Sequence, residues 1–168
     1  MSDTNAEVLE RLQAKDALLF GLSDTLDVKA SIALVVITFL GTQSGVFLAS
    51  QQQLPEVLRY AQLGSAVALA FAGCIALVAL WPRDHDTETA EELDGWAQQL
   101  REHYKHSPDP EQAVAEAFRS GRIQRLKERI NANAKVDRLK SGLVAWSYKL
   151  SAVGLVLNMV TLLGLAVR

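Results

Sequence analysis

The chain has one cysteine, Cys74, so no intramolecular disulfide can brace it. Four prolines and ten glycines among 168 residues exclude a collagen-like or low-complexity disordered chain. An excess of one charge sign is also missing. Seventeen Lys and Arg stand against nineteen Asp and Glu, a net charge of -2. That balance excludes a generally basic protein that coats nucleic acid. Strand-sized apolar runs are lacking as well, because the uncharged runs are far too long for strands, so an all-β fold is excluded. What the chain does have is three long apolar blocks with the charges gathered between them.

The first block runs from Ala30 to Ser50 and the second from Ala61 to Trp81, both without a charge. The third runs from Leu143 to Val167 and carries only Lys149, near its start. About 20 apolar residues cross the hydrocarbon core of a bilayer as a helix, so each block is long enough. The alternative is three buried core helices of a soluble protein. A chain of this length has no shell large enough to cover three such helices on every face. Residues 1–30 hold six acidic and three basic residues, which is the wrong charge for the start of a signal peptide. The first block is therefore expected to stay in the protein.

Lys and Arg counts give the orientation. Residues 51–60 contain only Arg59, whereas residues 82–142 contain eleven Lys and Arg, eight of them between Arg119 and Lys140. The long loop and the N-terminus are expected on the cytoplasmic side, with Arg168 on the far side. Trp81, Trp146 and Tyr148 fall at the cytoplasmic ends of spans, and Tyr60 at an outer end, where interfacial aromatics concentrate. Lys149 is near enough to the surface to snorkel.

Outside the spans the pattern is helical. Val8, Leu12, Leu19, Leu22 and Leu26 recur at steps of three, four and seven, which predicts an amphipathic N-terminal helix weakened at Gly21. Pro82 is expected to stop the second span. A helix is predicted from about Thr87 to His106, with Leu93, Trp96, Ala97, Leu100 and Tyr104 along one face. Asp109, Pro110 and Gln112 then read as N-cap, first helical position and the far half of a capping box. The helix they open is predicted to run on into the third span, with bends allowed at Ser120-Gly121 and Ser141-Gly142. Unbroken from Arg122 to Val167, it would be about 69 Å long.

The long loop is electrically split. Residues 83–118 hold ten acidic and three basic residues, and residues 119–140 hold eight basic and two acidic. The two halves could pair with each other, with the basic end touching anionic lipid headgroups. Alternatively Arg119, Arg122, Arg125, Lys127 and Arg129 form a basic site for a phosphate-bearing ligand. The composition leaves both open.

Each span also has a small or weakly polar face. Span one offers Thr38, Thr42, Gly45 and Ala49, with Gly41 and Gly45 as a close-approach motif and Gln43 at an awkward depth. Span two offers Gly64, Ala68, Ala72 and Ala76, and span three Ser147, Ser151, Gly154, Asn158 and Thr161. Helix-helix contact accounts for such faces. The functional reading is a pore wall lined by Thr38, Thr42, Gln43, Ser147, Ser151, Asn158 and Thr161. An amide deep in hydrocarbon needs a partner or water, so Asn158 is expected to lack a partner in a single chain. Three spans cannot enclose an aqueous path, so a pore needs several copies. A symmetric homo-oligomer, guessed as a tetramer, is expected.

Catalytic chemistry is nearly absent. Asp84-His85-Asp86 and His103-x-x-His106 fall short of a metal site, with no matched ligands nearby. Cys74 is read as a small packing residue. No phosphate loop, nucleophile elbow or paired-carboxylate arrangement is present. No cofactor, no metal and no enzymatic activity are expected.

At Leu26-Asp27-Val28-Lys29-Ala30-Ser31 a short Asp-x-Lys-Ala-Ser step leads straight into the first span. Two spans, a helical loop and a lysine-bearing helix entering a last apolar segment follow. That last stretch runs from Arg125-Leu126-Lys127 through Lys135-Val136-Asp137-Arg138-Leu139 to Trp146-Ser147-Tyr148 and Gly154-Leu155-Val156-Leu157. This arrangement, over roughly residues 18–165, resembles the Pycsar transmembrane effectors of bacterial anti-phage signalling. The resemblance implies an inner-membrane protein that responds to a nucleotide or oligonucleotide signal and compromises the membrane, stopping growth of the infected cell. It transfers no ligand-binding residues.

The expected fold is all-α: an integral membrane protein with three transmembrane helices and a cytoplasmic helical bundle. Its parts are an N-terminal cytoplasmic helix over 1–29, a transmembrane hairpin over 30–81, a cytoplasmic helical region over 82–142 and a third span over 143–168. The expected function is an oligomeric, nucleotide-controlled pore or channel, with the lipid bilayer, the signal molecule and a nucleotide cyclase or synthase encoded nearby as partners. The alternative is a non-conducting membrane scaffold whose cytoplasmic helices dock a protein.

Overall fold

The computed structural model describes residues 2–50, 55–81 and 88–167, and among these it contains no strand. Four helices follow one another: α1 (Ser2–Ser50), α2 (Glu56–Leu80), α3 (Ala90–His103) and α4 (Pro110–Ala166). Helices α1, α2 and α4 are each long and apolar enough to cross a membrane, so the protein is an all-α membrane protein with three spans. The outward residues of the spans agree: Val35, Phe39, Val46, Phe71, Val156 and Leu163 are exposed, an apolar surface suited to lipid. Pro82 lies outside the described residues; α2 ends just before it, with Trp81 as its cap.

The helix predicted from about Thr87 to His106 is shorter at both ends, spanning Ala90–His103. Helix α3 begins at Ala90, not near Thr87, because Thr89 caps it. The Glu92 N–H donates to Thr89 Oγ1 and the Thr89 N–H donates to Glu92 Oε2, each at 3.2 Å. At the start of α4 the Gln112 N–H donates to Asp109 Oδ1 at 3.2 Å, as the N-cap reading requires. The Gln112 side-chain amide donates forward to Glu116. Helix α4 runs on into the third span as predicted, and α1 and α4 are continuous through Gly21, Gly121 and Gly142, none of which has a positive φ. A glycine costs a helix interior about 1 kcal/mol, less than the packing that flanks these positions provides.

That packing is a seam. The buried residues of α4 recur at alternating steps of four and three from Leu126 to Thr161. In α1 they step likewise from Ser23 through Leu26, Ala30, Ala33, Ile37 and Leu40 to Ser44, and in α2 from Gln62 to Ala79. This is the spacing of helices that keep one face against their neighbours over many turns.

The chain divides into two compact units, to both of which α1 and α4 contribute. One comprises residues 23–82 and 138–168, the spans. Its apolar core joins Ala33, Ile37 and Leu40 of α1 to Leu69, Ala72 and Ala76 of α2. Helix α2 runs antiparallel to α4, with Leu58 against Gly164, Ser65 against Gly154 and Ala72 against Ser147. A Cβ on Gly154 would lie 2.7 Å from Leu69 Cγ, so the leucine occupies the space the glycine leaves. At one end of this unit Lys140 Nζ meets Asp27 Oδ1 at 2.5 Å, and the Tyr148 hydroxyl donates to the Lys29 carbonyl at 3.0 Å.

The other unit comprises residues 1–22 and 83–137. Leu126 and Ile130 are buried in it. Trp96 of α3 stacks on Phe118 of α4 with ring centroids 4.7 Å apart, and the Arg125 guanidinium lies 4.5 Å from the indole centroid. The indole edge sits directly where a Cβ on Gly121 would be. Gly121→Leu is therefore expected to push Trp96 out and cost about 1–3 kcal/mol by overpacking. The check is Trp96 emission, expected to shift to the red, in a background carrying Trp81→Phe and Trp146→Phe.

Candidate functional site

The five basic residues proposed as a ligand site share α4 but not one environment. At about 100° per residue, Arg122, Arg125 and Arg129 fall within an arc of about 60°, Arg119 about 60° beyond it, and Lys127 about 160° from Arg129. The Arg129 side chain is only 14% exposed, because it is held between Asp16 of α1 and Glu88, whose Oε2 is 3.7 Å away. Asp16 Oδ1 and Glu88 Oε1 are buried without a hydrogen-bond partner, so both carboxylates depend on that guanidinium. Arg125 is exposed and lies against the Trp96 ring. Arg119 and Arg122 are half-buried and Lys127 is exposed, with no ion pair at any of the three among the described residues. The acidic and basic halves of the loop thus meet at Glu88 and Arg129.

Beside this face lies a groove of about 640 Å³ between α3 and α4. Ala97, Val114 and Phe118 form its apolar floor, with Arg101 and Lys105 at its edge. The sequence reading passed over these two cations because they lie in the acidic part of the loop. Arg101 lies in the last turn of α3 and Lys105 in the turn that follows it, four residues on, and that short spacing was the available signal.

In the spans, the proposed pore-lining residues fall into two sets. Thr38, Thr42 and Gln43 are exposed on α1. The Thr38 and Thr42 hydroxyls donate to the carbonyls of Leu34 and Thr38, each at 2.8 Å, and a Cβ on Gly41 or Gly45 would meet nothing. Ser147, Ser151, Asn158 and Thr161 are buried within the chain. Ser147 Oγ donates to the Ala72 carbonyl at 3.0 Å and Ser151 Oγ to the Ser147 carbonyl at 2.8 Å. Thr161 Oγ1 donates to the Leu157 carbonyl at 3.1 Å. Asn158, expected to lack a partner in a single chain, has one: its Nδ2 donates to Ser44 Oγ at 3.3 Å. The antiparallel fit of α2 on α4, together with α1, encloses it.

Cys74, read as a small packing residue, is exposed on α2 beside a groove that Thr38, Gly41, Gly45 and Gly73 also border. Lys149 is exposed, with its ammonium 5.0 Å from the Trp146 centroid. His103 and His106 are exposed, and residues 84–86 lie outside the described residues. No cluster of three or more metal-ligating side chains occurs among the described residues.

The Pycsar effector protein domain matches residues 14–167, nearly the whole chain. The chain belongs to the Pycsar effector family. It is thus a membrane effector of anti-phage defence, the family the Asp27-to-Ser31 step and the arrangement of spans resemble. No curated protein and no solved structure matches it.

Proposed function

We propose that this Pycsar effector is a non-enzymatic, signal-controlled channel. Several copies, four in the simplest arrangement, assemble in the bacterial inner membrane and open a conducting path when a nucleotide or oligonucleotide binds the helices outside the spans. Opening collapses the membrane potential and halts growth of the infected cell. The observation that carries the reading is the division of the polar residues between the spans. The stripe on α4 is taken up inside one chain, whereas Thr38, Thr42, Gly41 and Gly45 on α1 remain uncovered among the described residues. An uncovered face of hydroxyls and glycines suits contact between copies and, at its polar edge, a water-filled wall.

The control site is the basic face of α4. Arg119 and Arg122 offer guanidinium groups without ion pairs, suited to bidentate grip on phosphate. The signal has to bind one arrangement of the helices more tightly than another, since equal affinity shifts nothing. Arg122→Gln with Arg119→Gln is expected to remove ligand control while leaving expression and assembly intact. Unchanged binding of radiolabelled cyclic mononucleotides and short oligonucleotides would assign the face to lipid or to self-pairing. A nucleotide cyclase or synthase encoded nearby is the source of the signal in this reading.

Assembly and topology are tested separately. Gly45→Leu is expected to weaken the oligomer by blocking close approach, read as a lower native mass in lipid nanodiscs. With Cys74→Ala as background, cysteines placed at Glu10 and Thr89 are expected to resist an impermeant thiol reagent added to the periplasmic side, because the basic loop faces the cytoplasm. Strong labelling at either position contradicts the proposed orientation.

A further inference from the structure

The unit containing the spans buries more polar atoms than its own packing satisfies. Gln62 of α2 is fully buried, and neither its Nε2 nor its Oε1 has a hydrogen-bond partner. Asn158 of α4 is also buried; its Nδ2 is used on Ser44, but its Oδ1 has no partner. The helix register brings these residues to one level. Between α2 and α4, Ser65 Oγ donates to the Gly154 carbonyl at 2.7 Å, and Leu58 packs against Gly164. Gln62 on one helix and Asn158 on the other both fall between those two contacts, and Ser44 adds α1 to the same layer.

Two amide side chains with open valences are costly in an interior where the buried side chains of Ser65, Ser147, Ser151 and Thr161 donate their hydroxyls to backbone carbonyls. Lipid supplies no hydrogen bonds, so the remedy has to come from something inside the bundle. The open set consists of one donor group, Gln62 Nε2, and two acceptors, Gln62 Oε1 and Asn158 Oδ1. A bare cation would be repelled by the amide nitrogen, and an anion by the two carbonyl oxygens. Water both donates and accepts, and buried waters typically make two to four such bonds.

We propose that Ser44, Gln62 and Asn158 enclose a hydration site that holds water within the membrane-spanning bundle. The site belongs to the resting protein and needs neither a signal nor a second copy. It goes beyond the channel reading and does not depend on it.

The test is water-edited solid-state NMR on the full, isotope-labelled chain in lipid bilayers, without any added nucleotide. The side-chain amides of Gln62 and Asn158 are expected to take up magnetisation from water several-fold faster than the backbone amides of Leu69 and Ala72. Gln62→Leu removes one donor and one acceptor, and is expected to slow the transfer at Asn158 to the level of Leu69. Asn158→Leu, read at Gln62, gives the same comparison from the other side should the first variant fail to insert. Transfer as slow at Gln62 and Asn158 as at Leu69 in the unaltered chain would overturn the site. So would fast transfer at Asn158 that survives Gln62→Leu. A dry layer in a protein that conducts defeats this inference alone; a hydrated layer in a protein that never conducts defeats the channel reading alone.

Discussion

Arg129→Leu is expected to destabilise the unit formed by residues 1–22 and 83–137 by about 3–5 kcal/mol, the usual cost of breaking a buried ion pair from one side. The guanidinium sits between Asp16 and Glu88, each with a buried oxygen that has no other partner. Leucine would leave two carboxylates buried and uncompensated. Hydrogen exchange in α3 and the first turns of α4 is the readout. Exchange is expected to accelerate by at least about 100-fold, the factor that corresponds to the lower end of that range. Adding Asp16→Leu and Glu88→Leu should recover much of the loss, because apolar groups of similar volume replace a buried triad without leaving a charge behind. Unchanged exchange in the single variant would mean that Arg129 is held only loosely.

The second large effect concerns conduction. Thr38→Leu with Thr42→Leu is expected to abolish depolarisation by a stimulated channel, because a leucine constriction excludes water where hydroxyls had admitted it. Membrane insertion should be undiminished, since leucine partitions into the bilayer readily. The contrasting variant is Ser151→Ala, which removes a buried hydroxyl bonded only to its own helix and should leave depolarisation intact. If Ser151→Ala abolishes depolarisation and the threonine pair does not, the conducting path runs along α4 and the bundle has to open to expose it.

The three spans were legible because hydrocarbon-length runs without charge are rare and have one main explanation. Asp109 and Pro110 marked the start of α4 through local chemistry alone. The same signature at Thr89 and Glu92 went unread beside an acidic tract. The predicted run of α4 on into the third span is what the structure has, but its buried face was less legible, for a physical reason. Its seam runs at steps of four and three from Leu126 to Thr161, but Asn133, Asp137, Lys140, Ser147, Ser151 and Asn158 occupy many of the seam positions. A periodicity search keyed to apolar residues sees those positions as solvent-facing, and so the buried face of α4 stays hidden although its length does not. The partners of these polar residues lie far off in sequence. Arg129 reaches Asp16 and Asn158 reaches Ser44, and no local pattern announces either pair. The resemblance in the Asp27-to-Ser31 step placed the chain in its family, while the placement of the site residues required the packed helices.

The measurement that bears most directly on a signal-controlled channel is ion release from vesicles. The purified full-length protein would be reconstituted into potassium-loaded liposomes and challenged with a panel of cyclic mononucleotides and short oligonucleotides, one at a time. The expected result is rapid potassium release with one class of nucleotide, absent without it and absent with Thr38→Leu and Thr42→Leu. Tight liposomes under every member of the panel, with the protein inserted and nucleotide bound, would contradict the account.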